Sequence, residues 1–130
     1  MQINWYRCLT YEDAKRHGSS IVYLFERNGV PSYWGQADNF GTRYNQGYDH
    51  LIEDCLRHGG RLYIGKIKDR KRHSLQDVED HLIERYGSEW NSLRKRKTRK
   101  SIVRLTHLGN KPESIKRGRP LATKLYRQLP

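Results

Sequence analysis

Two cysteines in 130 residues, Cys8 and Cys55, stand far apart and form no Cys-x-x-Cys pair. A disulfide framework and a cysteine zinc site are therefore not expected, and a reducing, cytoplasmic compartment is. No apolar run approaches the roughly 18 residues of a membrane-spanning helix. No apolar stretch at the N-terminus resembles a signal peptide, so no membrane association is expected. The six histidines show no His-Glu-x-x-His or other paired ligand spacing. No glycine-rich phosphate loop follows a candidate strand, and no Gly-x-Ser-x-Gly elbow occurs, so no small-molecule cofactor is expected. Apolar residues are also scarce: at 35% against 31% charged, the core is small or part of the chain lies outside it.

Acid is missing from the last third of the chain. Residues 92–130 hold 13 Lys and Arg against one acid, Glu113, whereas residues 1–91 balance 13 cations with 13 acids. The whole net charge of +12 therefore belongs to the last 39 residues. This reads as a neutral folded body followed by a basic tail (96–130) that binds a polyanion. The bland alternative is a solvated tail with no dedicated partner. Candidate phosphate-contacting residues are Arg94, Lys95, Arg96, Lys97, Arg99 and Lys100 in one run, with Arg117 and Arg119 further on. Arg117-Gly118-Arg119-Pro120 resembles the core of an AT-hook, which lays an extended arginine pair into a narrow minor groove. Generic phosphate contact is the competing reading. Ile102, Val103 and Leu105 form a short strand or docking segment.

What the chain does have is a strong hairpin over residues 20–35. Asn28-Gly29 tolerates positive φ at both central positions of a type I′ turn. Ile21 to Phe25 make one strand and Val30 to Gly35 the other. Pro31 has no N–H to give and must sit at an outward position or at the strand's start. The hairpin brings Tyr23 and Tyr33 together. The plain reading is aromatic cross-strand packing.

Around the hairpin, Thr10 caps a short helix through Tyr11–Lys15 that ends by Gly18. Trp5, Tyr6, Cys8 and Leu9 pack on the core from an N-terminal extension (1–19). Residues 36–41 make a loop, and a helix follows to about His58. It carries the apolar stripe Tyr48, Leu51, Ile52, Cys55 and Leu56 and is stopped by Gly59-Gly60. Arg43 and His50 share the opposite face if the helix already runs at Arg43. Residues 61–67 alternate as a third strand.

Ser74 with Asp77 forms a capping box ahead of a helix over 75–86. At 100° per residue, Leu75, Val78, Leu82 and Tyr86 define its apolar face, with Glu79 in the middle. Asp77, Asp80 and Glu84 fall on the far side. A carboxylate aimed at apolar surroundings is costly unless a metal or a cation pairs with it. An edge-of-stripe glutamate paired with an arginine is the alternative. Trp90 is expected on the core. The expected fold is α+β: a small three-stranded antiparallel sheet with helices packed on it, plus the basic C-terminal extension.

The order Ile21-Val22-Tyr23, Tyr33-Trp34-Gly35, Arg43, Glu79, Asn91 resembles the GIY-YIG nuclease family. Glu79-Asp80-His81-Leu82-Ile83, ending at Trp90-Asn91, is similar to its Glu-x-x-Leu-Ile segment. The resemblance covers residues 20–95, which would be the nuclease domain. It implies a divalent-metal-dependent endonuclease acting on DNA, with magnesium or manganese held by Glu79. It also implies that Arg43 contacts the scissile phosphate, that Asn91 positions the site, and that Tyr23 and Tyr33 activate or orient the attacking water. Tyr23 is the favoured base and Tyr33 its phosphate or water partner. A free tyrosine has a pKa of about 10, so a neutral-pH base needs a nearby cation or metal-bound water. The family often carries a histidine or tyrosine one turn after its arginine. That position is Gly47 here, and Tyr44, Tyr48 and His50 compete for the role. Gln36 also departs from the family, which often has Lys or Ser after the glycine. Two other classes stay open: a non-catalytic DNA-binding protein, and an RNA- or DNA-processing subunit that needs a partner.

Overall fold

The structure, a computed structural model, describes the backbone of residues 1–43, 49–91, 102 and 104–118; the side chains of 42, 43 and 49–51 lie outside that description. Its order is β1 (Gln2–Cys8), α1 (Tyr11–Lys15), β2 (Ser19–Arg27), β3 (Val30–Asn39), α2 (Phe40–Arg43), α3 (Asp49–Arg57), β4 (Arg61–Lys68), α4 (Leu75–Tyr86), β5 (Thr106–Gly109) and α5 (Glu113–Arg117). The strands form one sheet in the order β3-β2-β4-β1-β5. β1 pairs antiparallel with β4 and parallel with β5. The fold remains α+β, but the expected three-stranded antiparallel sheet is wrong: the sheet has five strands and is mixed. The two added strands come from segments that the sequence placed outside the sheet. Their pairing partners lie far away in sequence, so no local pattern displays them.

Other local expectations hold. Asn28 and Gly29 take φ of 54° and 74°, the left-handed pair that the tight turn requires. Pro31 is the second residue of β3, an edge strand, where a missing N–H breaks no ladder. The Thr10 hydroxyl accepts from the Asp13 N–H, and Ser74 with Asp77 closes a reciprocal capping box. One expectation fails locally: residues 36–39 continue β3, opposite Ser19 and Ile21, instead of looping. Ala37 is buried there, and the ladder to β2 outweighs the polar side chains of Gln36, Asp38 and Asn39.

Alternation along the strands builds two cores. Ile3, Trp5, Val22, Leu24, Trp34 and Tyr63 face α4, with Ile102 and Ile115 joining that cluster. Ile21, Tyr23, Ala37, Leu62 and Ile64 face α1, α2 and α3 through Tyr11, Ala14, Phe40 and Ile52. The sheet is thus covered on both sides. Leu9, expected on the core, is exposed. It follows the last residue of β1, where the ladder no longer dictates its direction.

Part of the expected tail belongs to the body. Ser114, in the first turn of α5, donates its N–H and its hydroxyl to Glu26 Oε2 at 3.0 and 2.9 Å. Glu26 is 1% exposed. A carboxylate removed from water needs such donors, so α5 is stitched to the end of β2. Among the described residues no helix is long and apolar enough to cross a membrane.

Candidate active site at the edge of the sheet

Tyr23 lies opposite Gly35, and Phe25 opposite Tyr33, in the β2–β3 ladder. The Tyr23 and Tyr33 rings sit diagonally on one face, with centroids 6.2 Å apart. A Cβ on Gly35 would overlap the Tyr23 ring and hydroxyl, so glycine is required for the ring to lie across the strand. Phe40 closes against Tyr23 edge-on at 5.2 Å. The two tyrosines differ in access: Tyr23 is 0% exposed, whereas Tyr33 is half-buried.

The next residue turns the edge of the sheet toward α4. Gln36 Nε2 donates to Gln76 Oε1 at 3.3 Å. Gln76 Nε2 in turn donates to Glu79 Oε2 at 3.4 Å and to Asp80 Oδ1 at 3.0 Å. Glu79 is therefore tied, through Gln76, to the residue that follows the glycine beneath Tyr23. The structure brings Tyr23 and Tyr33 together on one face of β3, whereas Glu79 lies on the helix packed against the other face and is not brought to them.

The helix register needs correction in part. Glu79 is half-buried, and Glu84 is exposed as expected, but Asp77 and Asp80 are buried rather than facing solvent. Asp77 is drawn in by the capping box. Asp80 is 1% exposed and turns its carboxylate to Gln76. A helical wheel records angle but not what covers each flank. The wheel did hold one unread signal: Gln76 falls between Glu79 and Asp80 at i−3 and i−4, where its amide reaches both.

Asn91 closes the open edge of β3. Its Oδ1 accepts from the Trp34 N–H at 2.6 Å, and its Nδ2 donates to the Trp34 carbonyl at 2.9 Å. One side-chain amide thus replaces a neighbouring strand. The Glu89 and Trp90 N–H groups bond the Pro31 and Ser32 carbonyls, each at 3.0 Å. The Trp34 indole donates to the Gly87 carbonyl at 2.8 Å. Ser88, missed in the sequence, donates its hydroxyl to Asn91 Oδ1 at 2.7 Å and receives the Asn91 N–H. Trp90 was expected on the core but is 74% exposed. Its backbone is fixed on the edge strand, and that leaves the ring outside.

Arg43 ends α2 and His50 is the second residue of α3; their side chains lie outside the described residues. So do Arg94, Lys95, Arg96, Lys97, Arg99, Lys100 and Arg119. Arg117 is exposed in the last turn of α5, with its guanidinium against the Asn28-Gly29 turn. The described body has a basic cleft of its own, about 330 Å³, lined by Arg70, Lys71, Arg72, His73 and Arg104. Asp69 and Lys71 there take φ near 59° and 54°, strained for residues with a Cβ.

No cluster of three or more His, Cys, Asp or Glu occurs among the described residues. At Glu79 the neighbouring amide presents its N–H, and the Gln76 oxygen accepts from Gln36, so the carboxylate is the hard oxygen ligand that this arrangement offers. A site of one carboxylate completed by waters and substrate phosphate is common for magnesium. The single Glu79 carboxylate is compatible with an ion held that way. Cys8 and Cys55 are free, and burial pushes the Cys8 thiol up to about 12, which removes it as a nucleophile.

No family model matches this chain, and no curated protein or solved structure matches it significantly.

Proposed function

We propose that this protein is a divalent-metal-dependent endonuclease of the GIY-YIG type that hydrolyses DNA phosphodiester bonds. The observation that carries the reading is the Tyr23–Tyr33 pair packed over Gly35. Glu79 would hold the magnesium or manganese ion, which when bound supplies positive charge to the scissile phosphate and the leaving oxygen. Tyr23, once its own proton has passed to solvent, would take the proton of the attacking water as tyrosinate, and Tyr33, the more accessible of the two, orients that water or a phosphate oxygen. Arg43 meets the extra negative charge of the transition state, a task suited to a permanently charged planar fork. Asn91 touches no substrate; it fixes β3 at Trp34, between Tyr33 and Gly35.

The test is a panel of plasmid, single-stranded and duplex DNA and RNA, incubated with magnesium, manganese or EDTA. Cutting of DNA is expected with either metal and none with EDTA. Phenylalanine at 23 or 33 should lower the rate on the order of 100-fold while the fold persists. The base, but not its partner, should also change the pH profile. One observation favours a second reading, a DNA-binding protein that does not cut: Tyr23 has no exposed surface. Binding without cutting on every substrate and metal would select it.

A further inference from the structure

Beside Tyr33 lies a cavity of about 620 Å³, walled by Phe25, Tyr33, Ile52, Cys55 and Trp90. Its position is set by the edge closure. The Trp90 N–H is held on the Ser32 carbonyl, one residue from Tyr33, and the indole stands outside the core at 74% exposed. The exposed indole adjoins the apolar wall of the cavity, and the two together form a contiguous apolar surface of the kind that binds ligands. The wall is flat and aromatic, and Tyr33 belongs to the cavity and to the candidate site at once. The rim is mixed: Arg27 and His58 stand beside Asp54 and Glu89, whose carboxylates meet Arg57, His58 and the Ser32 hydroxyl. The surplus charge of +12 selects a polyanion as partner. A polyanion that also offers flat apolar faces with N–H edges is a nucleic acid with a base out of its stack.

We propose that the cavity between Tyr33 and Trp90 takes an unstacked nucleobase of the strand being cut, with Trp90 as its stacking platform. This rests on the nuclease reading above. The aromatic wall takes the base, and the phosphates stay at the rim, where Arg27 stands. Cytosine, adenine and guanine carry exocyclic amino groups that Asp54 or Glu89 can receive. Unpaired or distorted strands reach the cavity at lower cost than intact duplex, since the base need not be extruded.

Tryptophan emission reads the site directly. Of the three tryptophans, Trp5 and Trp34 are at most 1% exposed, so quenching by a ligand reports Trp90. The full chain in EDTA is titrated with a single strand, an abasic strand of equal length, and a perfect duplex. The single strand should quench; the abasic strand, with every phosphate but no base, should bind without quenching. Trp90→Ala should weaken single-strand binding by about 5- to 150-fold, as expected for one lost stacking contact, and leave abasic binding unchanged. Trp90→Phe should keep most of the affinity. The melting temperature of Trp90→Ala should match wild type, which separates a binding loss from misfolding.

Equal quenching by the abasic strand, or unchanged single-strand affinity in Trp90→Ala, overturns the base site. If Trp90→Ala then still cuts with magnesium, the nuclease reading stands without it. If the wild-type chain neither binds nor cuts any nucleic acid, both fall together.

Discussion

Replacing Asn91 with alanine removes the amide that stands in for a strand at Trp34. The Trp34 N–H and carbonyl then lose their partners together, on a residue that is 0% exposed. Each orphaned buried group costs about 1–3 kcal/mol, so the pair sets a range of about 2–6 kcal/mol. β3 is an edge strand, and water can enter once the amide is gone. The lower half of the range is therefore expected, about 2–3 kcal/mol, against a whole-domain stability of about 5–15 kcal/mol. With a urea dependence of about 1.5–2 kcal/mol per molar, the midpoint should fall by about 1–2 M. Ser88→Ala removes a buried hydroxyl that donates to Asn91 Oδ1 and accepts the Asn91 N–H; it leaves that N–H unpaired and should cost about 1–3 kcal/mol. Urea unfolding gives both numbers, and amide exchange at Trp34 gives the local one. An Asn91→Ala midpoint within about 0.3 M of wild type would refute the edge closure, a shift of that size being under 1 kcal/mol.

Gly35→Ala drives a methyl into the Tyr23 ring; it should cost about 1–3 kcal/mol and reduce cutting more than binding, read from melting and single-turnover rates. Burial, with lesser repulsion from His81 and Lys111, lowers His107 to about 4. Its Nδ1 accepts from the Trp5 indole at 3.0 Å, so Nε2 carries the proton toward the Tyr86 oxygen at 3.2 Å. The unfolded histidine takes up a proton near pH 6.5 and the folded one only near 4. Stability should therefore be full above about pH 6.5 and fall by up to about 3 kcal/mol toward pH 4, a slope that His107→Gln abolishes in urea titrations. A chain ending at residue 118 should fold like the whole and lose at most three tail cations, flattening the log-affinity against log-salt slope by at most about 3. A chain ending at residue 100 should lose the fold by circular dichroism. It strands Glu26 and forfeits Ile102 and Ile115, worth about 1.5–3 kcal/mol each.

The parts of the fold visible in the sequence are those fixed within a few residues. Asn28-Gly29 dictates its own turn, and Ser74 with Asp77 marks the start of α4. Spacing finds Leu75, Val78, Leu82 and Tyr86 on the core face of α4, but it sends Asp77 and Asp80 to solvent, and both are buried. Long-range pairing was hidden: β1 meets β4 some 60 residues on and β5 about 100 residues on. The basic composition of the last 39 residues likewise concealed β5, which pairs with β1, and α5, which bonds a buried carboxylate of β2. Trp90 was misplaced because size suggests burial, whereas its backbone bond to Ser32 decides the matter. In the candidate site, the hairpin and the family resemblance point to Tyr23 and Tyr33, and the helical spacing to Glu79; the structure adds the Gln36–Gln76–Glu79 chain on the other face of β3.

The most direct measurement is single-turnover cleavage of a DNA substrate by Glu79→Gln and Glu84→Gln, each beside its binding affinity for the same DNA in EDTA. Both lie on α4; Glu79 is half-buried and bonded to Gln76, and Glu84 is exposed. Glutamine keeps the length and hydrogen bonding of the side chain and removes the charge that would hold the metal. Glu79→Gln should cut at least about 1000-fold more slowly, a loss of about 4 kcal/mol of transition-state stabilisation, with affinity within a few-fold of wild type. Glu84→Gln should cut nearly as wild type. Normal cutting by Glu79→Gln, or a loss confined to Glu84→Gln, would contradict the account.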